Sequence, residues 1–202
     1  MIDLPNNCEV NKIIPKKTFY DKLEISNKTK EKFINILEKI IWKYKLSEDT
    51  INITKTENVE EIEIFELILK KDENIKDILN VITKGIPYKI LFIIKHNDKV
   101  KYAIRYKEDF FITEWNENIK LNLNDISLEE VYENLVKEIT KIHNNDNKLE
   151  EEIDKKKKIE EIHKEIEKLK SKLKNEKQFN IKVEINKEII NKNKELGELL
   201  NE

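Results

Sequence analysis

Residues 59–69, VEEIEIFELIL, are the segment that most restricts the fold. Ile62 and Ile64 alternate with Glu61 and Glu63; then Phe65, Leu67 and Leu69 take the opposite parity, with Ile68 also apolar. Successive strand residues point to opposite faces, so this run is apolar on both. Such a strand needs cover above and below, and belongs at the centre of a sheet with a layer on each side.

The neighbouring segments supply that sheet. YKILFIIK (88–95) reads as a second buried strand, and His96-Asn97-Asp98 as a turn. KVKYAIRYK (99–107) follows, with Val100, Tyr102, Ile104 and Tyr106 on one face and Lys99, Lys101, Arg105 and Lys107 on the other. FFITEW (110–115) continues as a third consecutive strand. Between the first two strands, Ile75, Ile78, Leu79 and Ile82 mark a short helix that Gly85 and Pro87 stop. Ser127 and Glu130 have capping-box spacing and open a helix carrying Leu128, Val131, Tyr132, Leu135, Val136, Ile139 and Ile142. Upstream, Phe33, Ile36, Leu37, Ile40, Ile41 and Tyr44 predict a helix over 30–45. The proline-bearing start, LPNNCEVNKIIPKKTFYDKL, has no clear period and is expected to wrap as a docked arm. Residues 1–143 therefore predict an α/β domain of α+β type, a mostly antiparallel sheet of about four strands packed with helices.

Residues 144–148 form a polar joint, and 149–202 are a helical tail. Ile159, Ile162, Ile166, Leu169 and Leu173 step by three and four, a coiled-coil seam. Beyond Asn175 that register fails: Ile185, Ile189, Leu196 and Leu199/Leu200 follow another phase, with Lys192 as its weak member. A turn near Gln178–Ile181 would fold the tail into an antiparallel hairpin and bury both stripes. A straight rod that dimerises is the alternative, and neither glycine nor proline marks a turn there.

Composition removes several classes of function. Net charge is −2 with 40% charged residues, so no global field draws the chain to nucleic acid or an anionic membrane. One cysteine, Cys8, leaves neither an intramolecular disulfide nor a cysteine-rich metal site. MIDLPNNCEV does not read as a signal peptide, and no apolar run approaches the ~18–20 residues of a membrane span. A cytoplasmic protein is expected.

No constellation announces a chemistry. A restriction-type nuclease needs carboxylates and a lysine on adjacent strands to hold Mg²⁺ and position water. Glu61, Glu63 and Glu66 lie on one strand and Lys99, Lys101 and Lys107 on a neighbouring candidate, but no Asp/Glu-x-Lys falls on the buried hairpin strands. His96, His143 and His163 are isolated, so zinc is not expected, and two glycines build no phosphate loop. Catalytic, metal and cofactor sites are all expected to be absent. The cations Lys99, Lys101, Arg105 and Lys107 could instead track phosphates along the hairpin 88–107.

EVNKIIPKKTFY (9–20), EKIIWKYKLS (38–47), IPYKILFII (86–94) and EKQFNIKVEIN (176–186) are similar, in matching order along nearly the whole chain, to a bacterial family called domain of unknown function 4391. That resemblance brings no catalytic residues. Members are often encoded beside restriction-type helicases and DNA methyltransferases, which implies a role around phage defence or mobile elements. The reading that follows is a non-enzymatic accessory or regulatory protein, inhibitory or assisting, for a larger nucleic-acid-processing enzyme such as a restriction or RNA-guided nuclease complex. Its expected contacts are Trp42, Trp115, Lys164, Lys168, Phe179 and Lys182, tryptophan being a common interface anchor. A nucleic-acid-binding module using the basic hairpin, a cryptic metal-dependent nuclease, and a homodimer through the tail are the alternatives.

Overall fold

The computed structural model describes residues 4–21, 23–142 and 149–201. The chain divides into two compact units, residues 1–143 and 144–202. The polar joint read at 144–148 lies outside the described residues.

The first unit is built on one six-stranded sheet in the order β1-β2-β3-β4-β5-β6. These strands are β1 (Glu9–Ile13), β2 (Leu37–Leu46), β3 (Ile62–Leu69), β4 (Lys89–His96), β5 (Lys99–Tyr106) and β6 (Asp109–Ile112). Every neighbouring pair is antiparallel except β3 and β4. A parallel pair needs a crossover, and α4 (Lys76–Gly85) lies between those two strands in the chain. β3 sits between β2 and β4, so the strand that is apolar on both faces is central, as its pattern requires.

One face carries Phe65, Leu67, Phe92, Ile94 and Ala103, packed with Ile78, Leu79 and Ile82 of α4, Phe33 of α2 (Asn27–Asn35) and Phe19 of α1 (Lys17–Tyr20). Residues of the other parity face α5 (Leu128–Thr140). Lys89, at one end of that row, holds its Nζ 5.4 Å from the centre of the Tyr132 ring on α5, and the Tyr132 hydroxyl donates to the Arg105 carbonyl. All seven apolar residues predicted for this helical segment are buried. Ser127 Oγ accepts from Glu130 N–H at 3.3 Å, but the Glu130 carboxylate reaches back to Ile126 N–H at 3.0 Å rather than to the cap residue itself.

Two segments differ from the sequence expectation. The helix predicted over 30–45 ends at Asn35, and Leu37–Leu46 is strand β2. Its pairing with β3 shifts register between Leu37 and Lys39 and again between Trp42 and Tyr44. Each bulge inserts a residue and reverses the strand's parity. Leu37 and Ile40 therefore share a face although they are three apart, a spacing that imitates a helix. The expected arm at the start instead contributes the edge strand β1 and the short α1. A smaller correction concerns 110–115: β6 ends at Ile112 and Trp115 lies in a turn, although Thr113 N–H to Tyr102 O (2.9 Å) and Asn116 N–H to Val100 O (2.6 Å) keep that segment beside β5.

The second unit is a helical hairpin, α6 (Leu149–Asn175) and α7 (Phe179–Asn201). The break is Glu176–Gln178, at the front edge of the predicted turn. Ile162, Ile166 and Leu196 are buried between the helices, with Ile159, Ile189 and Leu199 around them. Lys192, the weak member of the α7 stripe, reaches across to Glu165 at 2.8 Å and also meets Glu195 at 3.1 Å. The Glu176 carboxylate explains a turn without glycine or proline. It accepts from the backbone N–H of Lys177 (2.7 Å) and of Gln178 (2.8 Å), donors left free where one helix stops and the next starts. Those bonds hold the Glu176 carboxyl below its ordinary pKa. Among the described residues, no helix is long and apolar enough to cross a membrane.

Candidate functional site

The four cations proposed to track phosphates are held in different ways. Lys101 shares the sheet face of Ala103, which packs in the α4-side core. Its Nζ lies 4.0 Å from the centre of the Trp115 ring and 3.7 Å from Asp72. Arg105 pairs with Glu108 at 2.6 Å, while its Nε is buried without a partner. Lys99 is exposed at the strand start, and Lys107 has left the strand for a turn with positive φ. Tyr102, predicted to point inward, is buried on the opposite face.

On that opposite face is a cleft of about 490 Å³, whose walls include Tyr44, Ile93, Val100 and Tyr102. Glu66 and Lys95 meet in it at 2.7 Å, and Asn116–Asn118 form part of its rim. Glu66 is buried, and so is one half of the only charged pair in two otherwise apolar stretches, FELIL and FIIK. Isolated opposite charges in two adjacent buried strands are a legible signal, but in the sequence Glu66 is weighed only against Lys99, Lys101 and Lys107. The bound Lys95 leaves Glu66 compensated in place.

At the other end of β3 lies Glu63, also buried. Burial pushes its carboxyl up from 4.5 to about 7; the nearby Trp42 indole offsets part of this and the Glu61 charge adds to it. Neither Glu63 Oε2 nor Trp42 Nε1 makes a well-formed hydrogen bond. Glu61 instead pairs with Lys45 on β2 at 2.6 Å. The three glutamates thus fall into two environments: Glu66 faces the cleft, while Glu63 lies on the opposite side near Glu61, just before β3, and the Lys45 that Glu61 pairs with. Among the described residues, no three His, Cys, Asp or Glu side chains gather as a metal-binding group.

Both tryptophans are half-buried. Trp42 stacks on Phe65 with ring centres 6.5 Å apart and planes 8° from parallel. Trp115 donates from Nε1 to Asp72 at 3.0 Å and packs at the core's edge.

The hairpin offers a different kind of surface. Lys164 and Lys168 are exposed on α6, Lys182 is half-buried on α7, and Phe179 is 76% exposed. Sequence reasoning named Phe179 but missed its companions, Val183 at 37% and Ile190 at 66% exposed. At 100° per residue, Phe179, Val183 and Ile190 fall within about 40° of one another. The face of α7 that meets α6, defined by Ile185, Ile189 and Leu196, is roughly 120° away. α7 is therefore apolar along two lines, and only one of them is used inside the hairpin.

A family model described as Domain of unknown function (DUF4391) matches residues 2–196, sheet domain and hairpin alike. No curated protein and no solved structure matches the chain.

Proposed function

The chain belongs to the DUF4391 family, and from that premise we propose that it is a non-enzymatic, cytoplasmic accessory or regulatory protein that docks through its helical hairpin onto a larger bacterial nucleic-acid-processing enzyme. A restriction or RNA-guided nuclease complex is the kind of enzyme meant, by the genomic neighbourhood that the family resemblance implies.

One observation carries this reading. Phe179, Val183 and Ile190 form an exposed apolar line on a helix whose other apolar line is already buried. Single exposed apolar residues are ordinary, but three at helical spacing on one side of a two-helix unit are the pattern of a helix-docking surface. A helix pair of this size has little core of its own, and a partner would bury the remaining line. The sheet domain, with an apolar layer on each face of β3, is the rigid body on which such an appendage is presented.

The test is affinity purification of the tagged full chain from its native host, beside a version ending at residue 148. Enrichment of a nucleic-acid-processing enzyme by the full chain, lost from the shortened one, is the expected result. Near-ultraviolet circular dichroism of the shortened chain checks that the sheet domain keeps its packing. Retention of that enzyme without the hairpin, or turnover of nucleic acid by the sheet domain alone, overturns the reading.

A further inference from the structure

We infer that the element received by the hairpin is an acidic amphipathic helix of the partner protein, seated on the side of α7 that carries Phe179, Val183 and Ile190. This rests on the docking role proposed above and specifies its chemistry.

The charges of the hairpin are sorted by side. At 100° per residue, Lys187 and Lys194 lie beside the Phe179–Val183–Ile190 line, and Lys182 lies between that line and the α6 contact. Across the seam, Lys170 and Lys174 of α6 fall on the same side, because the Glu165–Lys192 pair fixes the antiparallel register. The α6 acid among them is Glu167, which Lys170 holds at 2.9 Å. Of the acids of α7, Glu184, Glu188 and Glu195 point the other way, while Glu198 stands at the edge of this side with its carboxylate 4.0 Å from Lys194 Nζ. That second side is a shallow groove of about 470 Å³ where Glu165, Lys168, Glu188, Lys192 and Glu195 mix both signs. One side of the hairpin is thus apolar and basic, and the other is mixed.

An apolar line bordered by lysines matches a helix with apolar residues in the middle and acids along its edges. The line from Phe179 to Ile190 covers about 16 Å at 1.5 Å per residue, three turns of such a helix. A second copy placed face to face would set these lysines against themselves, which costs rather than stabilises. A membrane surface requires a broad apolar face, whereas Asn186 and Asn193 border this line and Gly197 continues it without a side chain. Duplex phosphates would use the lysines but leave Phe179, Val183 and Ile190 in water.

The probe is a fluorescent synthetic helix of about 20 residues, with leucines at the spacing of the line and glutamates elsewhere. A second peptide has every glutamate replaced by lysine. Anisotropy with the full-length protein should show the glutamate peptide binding at least tenfold more tightly. Ile190→Asp, at an exposed position, should weaken it about tenfold or more, the loss of one buried aliphatic side chain. Lys187→Glu with Lys194→Glu should weaken the glutamate peptide and strengthen the lysine peptide. Asn191→Asp, on the groove side, should change neither.

Equal affinity for the two peptides, or indifference to Ile190→Asp, overturns the inference. So does tighter binding to duplex DNA or to phosphatidylserine vesicles, lost in the same variants. Self-association of the wild-type chain in sedimentation, abolished by Ile190→Asp, would assign the surface to a second copy and overturn it as well. If loss of the hairpin removes the native enzyme while Ile190→Asp and the double charge reversal retain it, docking stands and only the acidic helix falls.

Discussion

Lys101 carries its ammonium 4.0 Å from the centre of the Trp115 ring, and both residues hold Asp72, the lysine at 3.7 Å and the indole Nε1 at 3.0 Å. The three side chains tie the loop after β3 to the turn after β6. Lys101 Nζ is committed to this cluster, and its side chain is only 15% exposed.

Lys101→Glu should therefore act on stability. It removes a cation–aromatic contact and sets a carboxylate beside Asp72, a loss of about 1–2 kcal/mol in a urea melt. Lys101→Ala should cost about half as much. If Lys101→Glu leaves the midpoint unchanged, the cluster has no structural role.

Glu63 makes stability depend on pH. Its folded pKa, about 7, lies above the ordinary 4.5, so the folded state binds the proton more tightly than the unfolded one. The Glu63 contribution to stability is then fully present below about 4.5 and is lost as pH rises through about 7. Glu63→Gln should gain on the order of 2 kcal/mol over wild type at pH 8, the gain vanishing below pH 4.5. Denaturant melts of both proteins across that range measure the difference, and a constant difference would contradict it.

The hairpin's own core is small, so single residues in it matter. Ile166 is 3% exposed between the helices. Ile166→Ala should cost about 2–4 kcal/mol and lower the midpoint of helix melting in far-ultraviolet circular dichroism. Ile190→Ala, on the exposed line, should leave that midpoint nearly unchanged.

Glu176 gives the turn an acid-sensitive cap. Its folded pKa is depressed by the Lys177 and Gln178 backbone donors, so its contribution is present above the ordinary 4.5 and lost as pH falls below it. Helical signal should weaken on acidification from pH 5 to 3, and less so in Glu176→Gln, which starts without the charged cap. Identical titrations of the two proteins would remove Glu176 from the account of the turn.

Where a pattern reports a single local preference, the sequence was readable. Ser127 opens α5, Gly85 and Pro87 close α4, and the hairpin of β4 and β5 follows from alternation about His96-Asn97-Asp98. β2 was not readable, because two register shifts turned a strand's alternation into steps resembling a helix. The pairing partner that compensates for a bulge is distant in sequence, so no window over 30–45 contains it. The same holds for Lys101: its place in an alternating run marks it as exposed, yet Trp115 from the turn after β6 and Asp72 from the loop after β3 arrive to cover it.

The amino-acid order by itself determined a central doubly covered strand, the strands after it, and a tail whose two apolar phases cannot share one straight seam. These depend on the period of hydrophobicity, a local property. Tertiary structure alone decided that β2 is a strand, that Lys95 closes on Glu66, and that the second apolar line of α7 faces away from α6. Each of those depends on which distant group a side chain meets, and burial and charge pairing are settled only when the chain has brought those groups together.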